Sequence, residues 1–124
     1  MNERPRILLV EDDPDIAQFL GRYLRQKYDV ETAVDGAAGL AALLRPPPPD
    51  LVLADVMMPK MDGFTMIKKM RELLTTARPP VIFLTARDQP ADVVKGIQAG
   101  ARHYLTKPVR LDDLDKKVSK ALGK

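Results

Sequence analysis

Leu51-Val52-Leu53-Ala54-Asp55-Val56-Met57-Met58-Pro59-Lys60-Met61-Asp62 is the stretch whose reading decides the fold. Its first half is a short apolar run fenced by turn residues, the composition of a strand buried on both faces. Asp55 falls where that strand should end. The next helix is expected near Asp62, seven residues on, so Asp55 is not its cap. A carboxylate at the rim of a hydrophobic sheet is costly unless something cationic meets it. Asp55 therefore reads as a residue kept for chemistry.

On either side of this strand the chain alternates strand and helix signals. Arg6 to Val10 is apolar and ends in Glu11-Asp12-Asp13; Pro14 suits a first helical turn with Asp13 as its cap. Ile16, Phe19, Leu20, Tyr23 and Leu24 then follow helical spacing, so a helix is expected to about Gln26. Gly21 inside it costs about 1 kcal/mol relative to Ala unless close packing needs it. Val30 to Val34 forms a brief strand, and Asp35 caps a helix whose apolar positions are Ala37, Leu40, Ala41 and Leu44. Pro46 to Pro49 forbid helix and form a stiff connector; an SH3-type ligand is the less economical reading.

Beyond the opening stretch, a helix over 62–74 carries Met66, Ile67, Met70, Leu73 and Leu74 inward, the methionines as core filler. Val81 to Thr85 is a second doubly buried strand, and Pro90 opens a helix with Val93, Val94, Ile97 and Ala101. Tyr104-Leu105-Thr106 is the last strand, and Leu111, Leu114, Val118, Ala121 and Leu122 line a final helix. Strand and helix alternate five times, which predicts an α/β fold with a parallel sheet and helices on both faces.

At 124 residues the chain is expected to be one domain, 1–124, long enough to bury a core. No apolar run approaches the ~20 residues of a membrane span, and no secretory h-region is visible near Met1. With no cysteine there are no disulfides and no thiolate metal sites, in keeping with a cytoplasmic protein. Twenty Lys and Arg are scattered among 17 acids, and three Phe, three Tyr and no Trp leave little for base stacking, so direct nucleic-acid binding is not expected. The lysines at 116, 117, 120 and 124 alternate with apolar residues and read as the solvated face of the last helix.

In a sheet of this kind, sites form beyond the carboxyl ends of the strands, where strand order reverses. Those ends supply Glu11, Asp12 and Asp13, then Asp55, then Thr85, then Lys107. Each has a bland explanation alone: a helix cap for Asp13, a β-branched strand residue for Thr85, a surface lysine for Lys107. Their conjunction at one edge does not. Two carboxylates ~4 Å apart repel by ~4 kcal/mol at an effective dielectric near 20, so such a cluster raises its pKa values or takes up a cation. Oxygen donors alone point to a hard ion, Mg²⁺ or Mn²⁺, which shares its ligands readily with a phosphate.

These residues resemble the receiver domains of two-component response regulators, CheY-like proteins. The motifs are Ile7 to Asp13, Asp55-Val56-Met57-Met58-Pro59 with Met61-Asp62-Gly63, Leu84-Thr85-Ala86-Arg87, and Gly100 to Pro108. The resemblance spans Arg6 to about Leu122 and implies a doubly wound (βα)5 flavodoxin-like sandwich with strand order 2-1-3-4-5. It implies that Asp55 accepts a phosphoryl group from a sensor histidine kinase, a phosphotransfer protein or a small acyl phosphate. Asp13, Asp55 and the Met57 carbonyl would bind Mg²⁺ directly, and Asp12 through water. Lys107 would neutralise phosphoryl oxygens, Thr85 would hydrogen-bond the new group, and Tyr104 would swing inward. Phosphorylation would thereby switch a surface of the fourth helix, fifth strand and fifth helix toward a downstream protein or a covalently linked output domain.

Such a domain is no enzyme beyond its own phosphorylation and dephosphorylation, and is a monomer or a phosphorylation-linked dimer. A cis Lys107-Pro108 bond is also usual in the family. Arg102-His103 stands where many members carry acids that make intersubunit pairs, and Val109 where an aromatic is common, so that dimer mode is not implied here. Met57 cannot orient a hydrolytic water, which predicts a persistent phosphoryl group.

Other readings fit less well. A phosphorylation-independent pseudo-receiver has no use for the intact acids, Thr85 and Lys107. A haloacid-dehalogenase-type phosphatase needs a second Asp where Met57 stands, and an FMN-binding flavodoxin needs a neutral phosphate loop where Glu11-Asp12-Asp13 would repel.

Overall fold

The computed structural model describes residues 4–73, 79–85 and 103–123. Its strands are β1 (Arg6–Val10), β2 (Asp29–Ala33), β3 (Leu51–Asp55), β4 (Val81–Thr85) and β5 (His103–Thr106). Its helices among the described residues are α1 (Pro14–Leu24), α2 (Gly36–Leu44), α3 (Gly63–Leu73) and α4 (Leu111–Ala121). The helix expected from Pro90 lies outside the described residues, as does Leu74. The strands form one parallel sheet in the order β2-β1-β3-β4-β5, as the resemblance implies. Strand order reverses between β1 and β3, which places the carboxyl ends of those two strands side by side.

Successive side chains of a strand point to opposite faces, and two separate cores result. Ile7, Leu9, Leu51, Leu53, Ile82 and Leu84 face α1 and α4, where they meet Leu20, Leu24, Leu114 and Val118. Leu8, Val10, Val52, Ala54, Val81 and Phe83 face α2 and α3, where they meet Leu43, Met66, Ile67 and Met70. Every residue of β3 and β4 is buried, which is why both read as unbroken apolar runs.

The helices correct the sequence reading in places. α2 buries Gly36, Gly39 and Leu43, with Ala37, Ala41 and Leu44 exposed. Small residues win that face because the helix lies too close for side chains: a Cβ on Gly39 would stand 2.7 Å from Met66 Sδ and 2.9 Å from Val10 Cγ2. Phe19 and Leu73, expected inward, are exposed. α1 ends at Leu24, two residues short of the expected Gln26, with Arg25 as its cap. Gly21 is buried but meets only the flexible end of Arg25, so no backbone approach demands it.

Candidate functional site

The site sits at the β1/β3 switch point, where the fold rule puts it. Asp55 closes β3 and is buried, its register partner on β4 being Leu84. One carboxylate oxygen, Oδ1, accepts from the Met57 backbone N–H at 3.2 Å; the other, Oδ2, accepts from Lys107 Nζ at 2.9 Å. The chain then turns sharply into α3. Gly63 N–H donates to the Val56 carbonyl at 3.0 Å, and a Cβ on Gly63 would stand 2.3 Å from the Asp55 carbonyl oxygen. Only glycine allows α3 to start against the end of β3 in this way.

Lys107 reaches the site from the end of β5, where its backbone N–H donates to the Thr85 carbonyl at 2.7 Å. The Lys107–Pro108 bond is cis. Its Nζ lies 2.9 Å from Asp55 and 2.7 Å from Glu11 Oε1, so one ammonium serves two buried carboxylates. Burial works against that charge, but Glu11 and Asp55 outweigh it and raise the lysine's pKa. The Glu11 carboxyl, in turn, is pushed up to about 7, chiefly by burial; Lys107 and the Asp13 N–H oppose this, and Asp55 adds to it. Glu11 Oε2 accepts the Asp13 N–H at 3.2 Å. Glu11 Oε1 is buried with no donor aligned on it, close though Lys107 is.

Glu11, Asp12 and Asp55 bring one carboxylate oxygen each within 4.8 Å of one another. Glu11 and Asp55 share the Lys107 ammonium, and the three carboxylates of this group exceed that single positive charge. Such a donor set fits a hard divalent cation. It also differs from the set expected from the sequence. Asp13 is not in the group: it is the N-cap of α1, and its Oδ1 accepts from Asp15 N–H at 2.9 Å and Ile16 N–H at 3.3 Å. Glu11, which was not among the expected ligands, takes the inward position. The sequence held the clue, since a residue spent on capping the helix at Pro14 leaves Glu11 and Asp12 as the pair at the strand's end.

Thr85 ends β4 and is buried, one register step beyond the pair formed by Asp55 and Leu84. Tyr104 lies on β5, partly buried against the α2/α3 core with its ring centroid 6.1 Å from that of Phe83. Its carbonyl accepts from Lys117 Nζ of α4 at 2.7 Å. Met57 is 74% exposed, two residues from Asp55. The structure thus gathers Asp12, Asp55 and Lys107 with Glu11.

The response regulator receiver domain family matches residues 7–119. The DNA-binding dual master transcriptional regulator RpaA of Synechocystis is 42% identical over 111 residues, covering 89% of this chain and 46% of that protein. The transcriptional regulatory protein RprY of Bacteroides fragilis is 42% identical over 123 residues, covering 98% and 51%. Among solved structures, the chemotaxis protein CheY4 of Vibrio cholerae aligns with a TM-score of 0.88 at 31% identity, over 95% of this chain and 98% of that one. The chain spans about half the length of these two regulators. With a matching fold, a matching family over nearly its whole length and an acidic site at the switch point, the chain belongs to the response regulator receiver domains, the phospho-accepting modules of two-component signalling.

Proposed function

We propose that Asp55 is the phospho-acceptor and that residues 1–124 act as a single receiver domain. The observation that carries this is the placement of Asp55: a buried carboxylate held by Lys107 on one oxygen and a backbone N–H on the other, next to two further acids. A carboxylate oxygen of Asp55 forms a bond to phosphorus as the P–N bond of a phosphohistidine breaks, and the imidazole nitrogen keeps the electron pair. Lys107, already within 2.9 Å of Asp55, stabilises the charge on the transferring group. The Thr85 hydroxyl donates to the product phosphoryl group.

Glu11, Asp12 and Asp55, with the Met57 carbonyl, would hold Mg²⁺ or Mn²⁺, and the ion would supply positive charge between these acids and the incoming phosphoryl group. Asp13 is assigned to the helix cap instead of the metal. The chain catalyses only its own phosphorylation and dephosphorylation.

The donor is a histidine kinase, a phosphotransfer protein or a small acyl phosphate. A donor protein reaches Asp55 past the flank where Ile16 and Phe19 meet Pro108 and Val109, an apolar cavity of about 260 Å³ beside Lys107. Phosphorylation is read out through Tyr104 and the surface of β5 and α4 by a downstream protein or a linked output domain. Any nucleic-acid contact in proteins such as RpaA is assigned to that output, not to residues 1–124. No described helix is long and apolar enough to cross a membrane, and a cytoplasmic location suits partners that carry phosphohistidine.

The test is a Phos-tag gel after treatment with acetyl phosphate. A slow band is expected with Mg²⁺ for the wild type, and none with EDTA or for Asp55→Asn. A band that survives Asp55→Asn removes Asp55 from this role.

A further inference from the structure

The loop from Val56 to Asp62 carries Met57, and its far end is pressed against the start of α2. Met61 N–H donates to the Pro59 carbonyl at 2.7 Å around Lys60, whose φ is +70°. That is a γ-turn of the rare positive-φ kind, and Lys60 is the one non-glycine residue among the described residues in that region. Nothing in the preference of lysine maintains it. The contacts of its neighbours do.

Those contacts come from α2. A Cβ on Gly36 would stand 2.3 Å from the Met61 carbonyl oxygen and 2.8 Å from Met61 Cβ, so the loop backbone rests directly on this glycine. Asp35, one residue earlier, caps α2 by accepting from Ala38 N–H at 2.8 Å, and its other oxygen lies 3.9 Å from Lys60 Nζ. Gly63, just after Asp62, packs against the Asp55 carbonyl and so closes the base of the loop. The loop between Asp55 and Gly63 is thus closed at its base and braced at Met61, and Met57 lies within it, two residues from Asp55.

We infer that Gly36 and Asp35 are positioning residues for the phosphoryl site, holding the ligand loop in place through a γ-turn at Lys60. They lie about twenty positions before Asp55 in the sequence and act on the site only through the loop. This rests on the assignment of the metal to Glu11, Asp12, Asp55 and the Met57 carbonyl. Moving the loop by the distance a methyl group requires would weaken the metal's seat in the way that loss of other outer partners does, by about ten-fold or more.

The experiment is Mg²⁺ titration by calorimetry, with ¹H–¹⁵N spectra of the same samples. Gly36→Ala pushes the loop from the α2 side. Lys60→Val, at an exposed position, disfavours positive φ from the loop side; on α2 it removes only the 3.9 Å ion pair with Asp35 and leaves the Asp35 cap on Ala38 in place. Each is expected to weaken Mg²⁺ binding about ten-fold and to move the Met57 and Gly63 amide resonances, with the β4 and β5 amides in place. A simple loss of stability would not produce that pattern. If Gly36→Ala does not fold, Lys60→Val decides alone. Affinities within two-fold of wild type in the folded variants overturn the inference and leave Asp55 as the acceptor; a wild type that binds no Mg²⁺ overturns both.

Discussion

Glu11 is buried, with Lys107 bridging it to Asp55, and folding raises its carboxyl from 4.5 to about 7, with burial the largest cause. Between those values the folded chain binds a proton that the unfolded chain has released. The contribution is therefore fully present below about 4.5 and is lost as pH rises to about 7, with a span on the order of 3 kcal/mol. Urea midpoints of the metal-free protein at about pH 5 and about pH 8 should show this decline in the wild type and lose most of it in Glu11→Gln. Equal slopes for the two would mean that Glu11 does not hold that proton. Two neighbouring acids are separated by a second substitution pair. Asp13→Ala should cost about 1 kcal/mol of stability through the lost cap, and Asp13→Asn almost nothing. Calorimetry should find Mg²⁺ affinity within two-fold of wild type for Asp13→Asn and at least about ten-fold weaker for Asp12→Asn. The reverse order would restore Asp13 as the ligand.

At the scale of the element, glycines set the distances. Gly63 lets α3 begin against the Asp55 carbonyl, and Gly39 lets α2 lie on Val10 and Met66. Gly63→Ala should cost about 1–3 kcal/mol from overpacking, seen in thermal unfolding, and should also slow labelling by acetyl phosphate because the carbonyl displaced belongs to Asp55, the proposed acceptor. These same glycines explain what the sequence hid. β1, β3 and β4 were legible because burial on both faces leaves apolar runs, broken by a polar residue only at one end: Arg6, Asp55 and Thr85. α4 was legible because Leu114, Val118 and Ala121 contrast with lysines and aspartates. α2 is entirely Gly, Ala and Leu, with no contrast between faces, so the periodicity picked Ala37 and Leu44 where the fold uses Gly36 and Gly39. A face chosen for the absence of side chains leaves no hydrophobic signal.

Across the whole molecule, topology gathers the site. Glu11 and Asp12, Asp55 and Lys107 come from three strand ends, far apart in the chain and adjacent only because the order is β2-β1-β3-β4-β5. Which edge held the chemistry was readable from the strand ends alone. Which of three consecutive acids pointed inward was not, because it depends on where β1 stops and α1 is capped. The exposed Met57 beside Asp55 offers water no hydrogen-bonding group, so the phosphoryl group should persist once formed. In Mg²⁺ buffer, label on the purified phosphoprotein should decay slowly, and Met57→Gln should shorten its lifetime. Rapid loss from the wild type would contradict this.

The site works only if the ammonium and a divalent ion together let one of its crowded acids be esterified. Borohydride trapping reads that bond directly, since reduction of an aspartyl phosphate leaves homoserine at the modified position. After acetyl phosphate and Mg²⁺, peptide sequencing is predicted to find homoserine at position 55 and nowhere else. Homoserine at another position, or none at all, would contradict the account.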